Sequence, residues 1–203
     1  MARPKGYDLE AVLDNAVNTF WEKGYEATSI QDLVDSMGIQ RASLYSAFGS
    51  KQQLFLAVLD RYGDIVVSQL IQALDSHDSG KESMWLFFQR VIDQILSAGP
   101  WRGCLITNSA VEIGLSDIAT REKVIHLLGQ IEQGFYKTLV RAKAADEIDD
   151  DNHDLQAMAR YFTSCLQGIL VIGKVCPERA RLEDIVKVAL AALDAKPKFE
   201  NGS

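Results

Sequence analysis

Between Thr28 and Phe55 the chain reads TSIQDLVDSMGIQRASLYSAFGSKQQLF, and several of its side chains are of the kinds that read nucleic acid. Arg41 carries a guanidinium that can bridge the two major-groove acceptors of guanine, a contact worth about 1–3 kcal/mol in discrimination between bases. Gln40 precedes it, Ser43 and Ser46 follow closely, and Lys51 stands where a helix pattern begins. A lysine at that place can pair with a phosphate beside free N–H groups and the positive end of the helix dipole. No acidic residue falls between Ser36 and Leu59, although the chain as a whole has a net charge of −7. That balance argues against a whole-protein electrostatic grip on nucleic acid and leaves room for a small positive face.

A second chemistry lies in WRGCLITNSAVE, which starts at Trp101. Cys104 opens a predicted helix two residues after Arg102, and both features favour the thiolate, the reactive form of the side chain. A buried, inert thiol is the alternative. Cys165 and Cys176 have neither a disulfide framework nor metal-ligand spacing, and His77, His126 and His153 are scattered, so no metal site is expected. The acidic run EIDDDNHD, ending at Asp154, lacks the glycine and terminal glutamate of a calcium loop. It reads as a solvated connector that caps the next helix. No Glu-x-x-His pair and no glycine-rich phosphate loop after a strand occurs, which argues against a helical enzyme; no cofactor is implied.

The elements that must position these residues are helices throughout. The hydrophobic fraction of 47% suits a protein with a real core, and no credible alternating strand appears. Leu9, Val12, Leu13, Ala16, Val17, Phe20 and Trp21 keep the helical period, with Asp8 as cap and Gly24 as stop. Ile30, Leu33, Val34 and Met37 repeat it. Thr28 with Gln31, and Ser50 with Gln53, have capping-box spacing. Further helices are expected from Lys51 to about Leu74, from Ser83 to Leu96, from near Cys104, from Asp117 to Ala144, from Asp154 to Val175 and from Arg181 to Leu193. The longest mainly apolar stretch without Asp, Glu, Lys or Arg runs from Tyr161 to Gly173, short of the roughly 18 residues that suggest a membrane span. MARPKGYDLE carries no apolar signal-peptide run, so a cytoplasmic protein without membrane contact is expected.

Two short helices around Gly38 form the helix-turn-helix pattern, whose second helix enters the major groove of double-stranded DNA. On the wheel of Gln40–Phe48, Leu44 and Phe48 share the packing side with Ala47 beside them. Ala42, Ser43, Tyr45 and Ser46 point elsewhere, and Gln40 and Arg41 occupy the N-terminal end that usually reaches base edges. Arg3-Pro4-Lys5-Gly6 is compatible with an arm in the minor groove and with an unstructured tail.

The run from Thr28 through Leu54 resembles the DNA-binding signature of the TetR family of bacterial repressors. The likeness includes Thr28, Gly38-Ile39, Leu44-Tyr45 with Phe48, Ser50-Lys51, and the preceding Phe20-x-x-x-Gly24-Tyr25-x-x-Thr28. The resemblance implies an all-α protein. Residues 1–50 would form a three-helix DNA-binding domain, and 51–203 a helical effector-binding and dimerisation domain. It further implies that Thr28, Tyr45 and Lys51 hold phosphates while Gln40, Arg41, Ser43 and Ser46 lie near bases. Ser46-Ala47 departs from the bulkier or histidine side chains of many members, which leaves the target sequence open.

The resemblance also implies a homodimer through the last two helices and a repressor of a palindromic operator. Leu155, Met158, Ala159, Phe162, Cys165, Leu166, Ile169 and Ile172 give one wide apolar face, and Leu182, Ile185, Ala189 and Leu193 another. Gly168 and Gly173 would permit close helix approach. Packing of each face within its own subunit is the alternative. Trp85, Phe88, Trp101, Phe135, Tyr136 and Phe162 are candidates to line an effector pocket, though aromatic residues at helical spacing are also what a core requires. Gly103-Cys104-Leu105-x-x-Asn108 resembles a segment of a TetR subgroup with a reactive, electrophile- or oxidant-sensing cysteine. The effector is thus an unidentified small molecule or electrophile.

Overall fold

The computed structural model describes residues 8–97, 99, 101–148 and 154–194, and it is helical as expected. The basic stretch Arg3 to Gly6 and most of the acidic run before Asp154 lie outside the described residues. Among the described residues ten α-helices follow in order: α1 Leu9–Lys23, α2 Ile30–Met37, α3 Arg41–Phe48, α4 Lys51–Tyr62, α5 Ser68–Leu74, α6 Gly80–Leu96, α7 Leu105–Glu112, α8 Ile118–Ala144, α9 Leu155–Val175 and α10 Arg179–Ala191. They fall into two compact units. Among the described residues, one comprises 8–66 together with Leu105–Leu127, the other Val67–Cys104 together with those from Leu128 onward.

In the first unit each helix is bounded by local chemistry. The Asp8 side chain accepts from the Glu10 N–H at 3.0 Å, and α1 stops at Gly24, whose φ of 83° suits a residue without a Cβ. The capping box of α2 sits one residue later than the spacing of Thr28 and Gln31 predicts. Ser29 Oγ accepts from the Asp32 N–H at 3.1 Å, and the Asp32 carboxylate accepts from the Ser29 N–H at 2.8 Å. Asp32 wins because a carboxylate at the third helical position also receives Lys23 Nζ at 2.6 Å. Ser50 caps α4 as expected, accepting from the Gln53 N–H at 3.1 Å.

The apolar stripes of α1, α2, α3 and α4 converge. Phe20, Leu33, Leu44, Leu54 and Val58 are 0% exposed, and the Phe20 and Phe55 rings meet edge to face at 4.9 Å. Each such side chain contributes about 1.5–3 kcal/mol of burial free energy. Arg61 of α4 reaches back to Asp14 of α1 at 2.7 Å and holds the two helices in register.

The single helix expected from Lys51 to Leu74 is interrupted by a π-helical turn at Gly63–Val67. Tyr62 and Val67 are both buried although five residues apart, a spacing that wider π winding accommodates and α winding does not.

In the second unit α6 packs against α5, α9 and α10. Its centre is aromatic: the rings of Phe87, Phe88 and Phe162 stand 5.3, 5.9 and 5.9 Å from that of Phe135. The wide apolar faces of the last two helices are spent largely inside the subunit. Ala159, Phe162, Leu166 and Ile169 of α9 are fully buried, as is Leu182 of α10, while Ala189 and Leu193 are 1% exposed. Gly173 makes its close approach within the chain, since a Cβ there would stand 2.7 Å from Ile95 Cγ2, whereas nothing lies within 4 Å of the Cβ position of Gly168. Among the described residues no helix is long and apolar enough to cross a membrane.

Candidate nucleic-acid interface

Helix α3, the second helix of the helix-turn-helix pattern, is held by Leu44, which is fully buried, with Ala47 and Phe48 half-buried beside it. Gly38 at φ 64° ends α2 in the left-handed conformation, and Gln40 then serves as the N-cap of α3 without a capping side-chain bond. The Gln40 side chain is therefore not engaged in holding its own helix. Gln40, Arg41, Ala42, Tyr45 and Ser46 are exposed and Ser43 is half-buried, so the predicted contact set shares the outward side of one short helix. The Arg41 guanidinium lies 5.8 Å from the centre of the Tyr45 ring, one turn along, which orders a long cationic side chain beside a hydroxyl donor.

Lys51 opens α4 immediately after Ser50, at the end where a helix leaves its first N–H groups without intrahelical partners. Its ammonium rests 4.5 Å from the centre of the Tyr25 ring and 3.5 Å from the Glu26 carbonyl oxygen. Thr28 behaves differently from the other predicted phosphate contacts. It is 1% exposed, its hydroxyl donates to the Gly24 carbonyl at 2.5 Å, and its N–H donates to the Tyr25 carbonyl at 3.3 Å. Both of its donors are committed to the turn between α1 and α2.

That turn has a partner that sequence reasoning missed. Glu112, the last residue of α7, places its carboxylate against the Tyr25 and Glu26 N–H groups, each at 2.9 Å. The signal available was a glutamate at a helix C-terminus, where the dipole disfavours negative charge.

Three carboxylates of the first unit are held below the ordinary range. Hydrogen bonds from Lys23 and then Ser29 hold Asp32 far below the usual carboxylate range. A hydrogen bond from Arg61 lowers Asp14, and one from the Thr120 backbone N–H lowers Asp117.

The six aromatic candidates for an effector pocket are not gathered on one surface. Phe88, Phe135 and Phe162 are fully buried and packed on one another. Trp85 is half-buried and, with Lys81, Glu82 and Leu190, lines a groove of about 490 Å³ between α6 and α10. Trp101 donates its indole N–H to the Leu170 carbonyl at 3.2 Å, and Tyr136 is half-buried on α8. Cys104 directly precedes α7, is 6% exposed and is not in a disulfide. Burial pushes the Cys165 thiol up, and the Glu178 carboxylate does the same to Cys176. No group of three or more His, Cys, Asp or Glu that could hold a metal ion occurs among the described residues.

Residues 12–58 match the family described as bacterial regulatory proteins, tetR family, and residues 80–189 match the tetracyclin repressor-like C-terminal domain. The HTH-type transcriptional regulator YezE of Bacillus subtilis (strain 168) is 34% identical over 194 residues, which is 96% of this chain and 100% of that protein. The HTH-type transcriptional repressor ComR of Escherichia coli (strain K12) is 31% identical over 200 residues, 97% of this chain and 92% of its own. Among solved structures, a cysteine variant of the TetR family regulator CifR complexed with 26-base-pair operator DNA aligns at a TM-score of 0.83. It is 29% identical and covers 94% of this chain and 99% of that one. With matches spanning both the reading head and the helical remainder, the chain belongs to the TetR family of bacterial regulatory proteins and is a DNA-binding transcriptional regulator, not an enzyme.

Proposed function

We propose that the protein is a dimeric, one-component repressor acting inside the cell, released from a palindromic operator by a small ligand or by modification of Cys104. The observation that carries this reading is the outward row of Gln40, Arg41, Tyr45 and Ser46 on α3, with Lys51 at the start of the next helix. Arg41, Gln40, Ser43 and Ser46 face base edges, Tyr45 and Lys51 take phosphates, and Thr28 braces the turn. Residues 1–50 then read DNA, while 51–203 carry the dimer and the signal.

A seam on α9 supports the dimer. Gly168, Val171, Ile172 and Val175 follow the helical spacing of one face, and Val171 and Val175 are 50% and 81% exposed. On α10, Val188 is 71% exposed. Two helices from each subunit would bury these residues in a four-helix interface, and the open space at Gly168 lets a partner helix come near. Two-fold symmetry makes the operator palindromic, so a ligand need only alter the separation of two reading heads. α4, which starts at the phosphate contact, is the natural lever.

The test is a gel-shift titration on the DNA upstream of the protein's own gene against scrambled competitor, repeated after a mild quinone or oxidant with and without reductant. Specific retention lost reversibly on treatment, and kept in Cys104→Ser, is the expected result for thiol sensing. Specific retention that survives treatment removes Cys104 and leaves a non-covalent effector. Equal binding of both DNAs would overturn the repressor reading and leave a helical ligand-binding protein whose head does not select DNA. Sedimentation of the purified chain as a monomer would remove the dimer.

A further inference from the structure

The Glu112 carboxylate occupies an unusual place for an acid. It closes α7, whose last turn contains no basic residue, so the dipole of its own helix opposes the charge. Its oxygens are satisfied elsewhere. Oε2 accepts from the Tyr25 N–H and Oε1 from the Glu26 N–H, both at 2.9 Å. Two successive N–H groups turned to one side form a concavity that binds anions, and here the anion is supplied by the chain itself. Gly24 completes the fit. A Cβ at Gly24 would stand 2.9 Å from both Glu112 oxygens, so the absence of a side chain is what admits the carboxylate.

The turn held in this way is tied to Lys51, the residue read as a phosphate contact. The Tyr25 ring lies under the Lys51 ammonium, the Glu26 carbonyl accepts from Lys51 Nζ, and the Gly24 carbonyl accepts from the Thr28 hydroxyl. We propose that Glu112 is a positioning residue for operator binding: by filling the concavity at Tyr25 and Glu26 it fixes the α1–α2 turn, and through that turn aims Lys51 at the DNA backbone. The inference rests on the reading of Lys51 as a phosphate contact.

The sign of the effect separates positioning from simple charge. Glu112 is a negative group close to a surface that meets phosphates, so on charge alone its removal strengthens binding to any DNA. Positioning predicts the opposite.

The experiment measures operator affinity by fluorescence anisotropy across a salt series for the native protein, Glu112→Ala, Glu112→Gln, Lys51→Ala and the double variant Glu112→Ala/Lys51→Ala. Thermal melts monitored by circular dichroism confirm that each variant is folded. Glu112→Ala is expected to weaken operator binding about tenfold, the scale of losing hydrogen bonds to a charged acceptor. Glu112→Gln, which keeps one acceptor and removes the charge, is expected to lie between it and the native protein. In the Lys51→Ala background the further loss from Glu112→Ala shrinks to about twofold or less, because the two residues then act as one unit. Equal or tighter binding by folded Glu112→Ala, or full additivity with Lys51→Ala, overturns the proposal. If Lys51→Ala alone leaves both affinity and salt dependence unchanged, the phosphate-contact reading has failed, and the role of Glu112 fails with it.

Discussion

The Lys51 ammonium stands 4.5 Å from the centre of the Tyr25 ring, so the first residue of α4 is held against the turn that ends α1. A lysine stem loses much rotamer freedom when it is ordered, and the Tyr25 ring gives this one a face to rest on. The head therefore presents a placed charge instead of a mobile one.

Lys51→Ala is expected to weaken cognate and scrambled DNA by about the same factor and to reduce the slope of log affinity against log salt by about one. Tyr25→Leu keeps the charge and removes the ring face, so it should weaken binding less while leaving the slope near the native value. A Lys51→Ala variant with a native slope would show that the ammonium meets no phosphate.

Arg41 makes the complementary prediction. It is exposed, begins α3 and lies with its guanidinium 5.8 Å from the centre of the Tyr45 ring. Arg41→Ala is expected to cost about 1–3 kcal/mol on the operator and much less on scrambled DNA, so that the specificity ratio falls. Binding-site selection with the variant should show loss of preference at one base pair per half-site. Equal losses on both DNAs would reassign Arg41 to the backbone.

Much of this head was legible because its signals are local. Gly24, Gly38 and Gly49 mark the helix stops, and Leu44 with Phe48 fixes which side of α3 is turned away. What escaped the sequence depends on contacts across the chain or on register. Ser29 displaces Thr28 as the cap because Asp32 receives Lys23 from another helix. Glu112 and Tyr25 are 87 residues apart along the chain, and no periodicity connects them. The face of α9 containing Phe162 and Leu166 could be read as apolar, but a pattern does not say whether its partner is α6 or a second subunit. The aromatic candidates divide for the same reason: spacing puts Phe88, Phe135 and Phe162 on inward faces, and only packing shows that they fill the space between them.

That packing sets a stability prediction. Phe135 is fully buried, and its ring meets those of Phe87, Phe88 and Phe162. Phe135→Ala removes those contacts and leaves a hole that three aromatic neighbours cannot all fill, at a cost of about 3–5 kcal/mol. Urea unfolding should show a lower midpoint. A midpoint close to the native one would mean that the cluster is loosely packed and can serve as a binding cavity.

Acid should loosen the first unit through its carboxylates. Asp32 is held far below the usual range by Lys23 and Ser29, Asp14 is lowered by Arg61, and Asp117 by the Thr120 N–H. A carboxyl whose folded pKa lies below its unfolded value binds protons more readily in the unfolded chain, so stability falls with falling pH between the two values. The contribution is complete above the unfolded value and erodes as pH drops below about 4. Asp32→Asn separates this linkage from packing, since it keeps the side-chain size and removes the titration. At neutral pH the variant is expected to unfold at lower urea than the native protein. The gap should narrow steadily as the pH is taken below about 4, because the native protein is then losing what the variant never had. A gap that stays constant from neutral pH to pH 3 would show that the Asp32 charge contributes nothing and that the capping geometry alone holds α2.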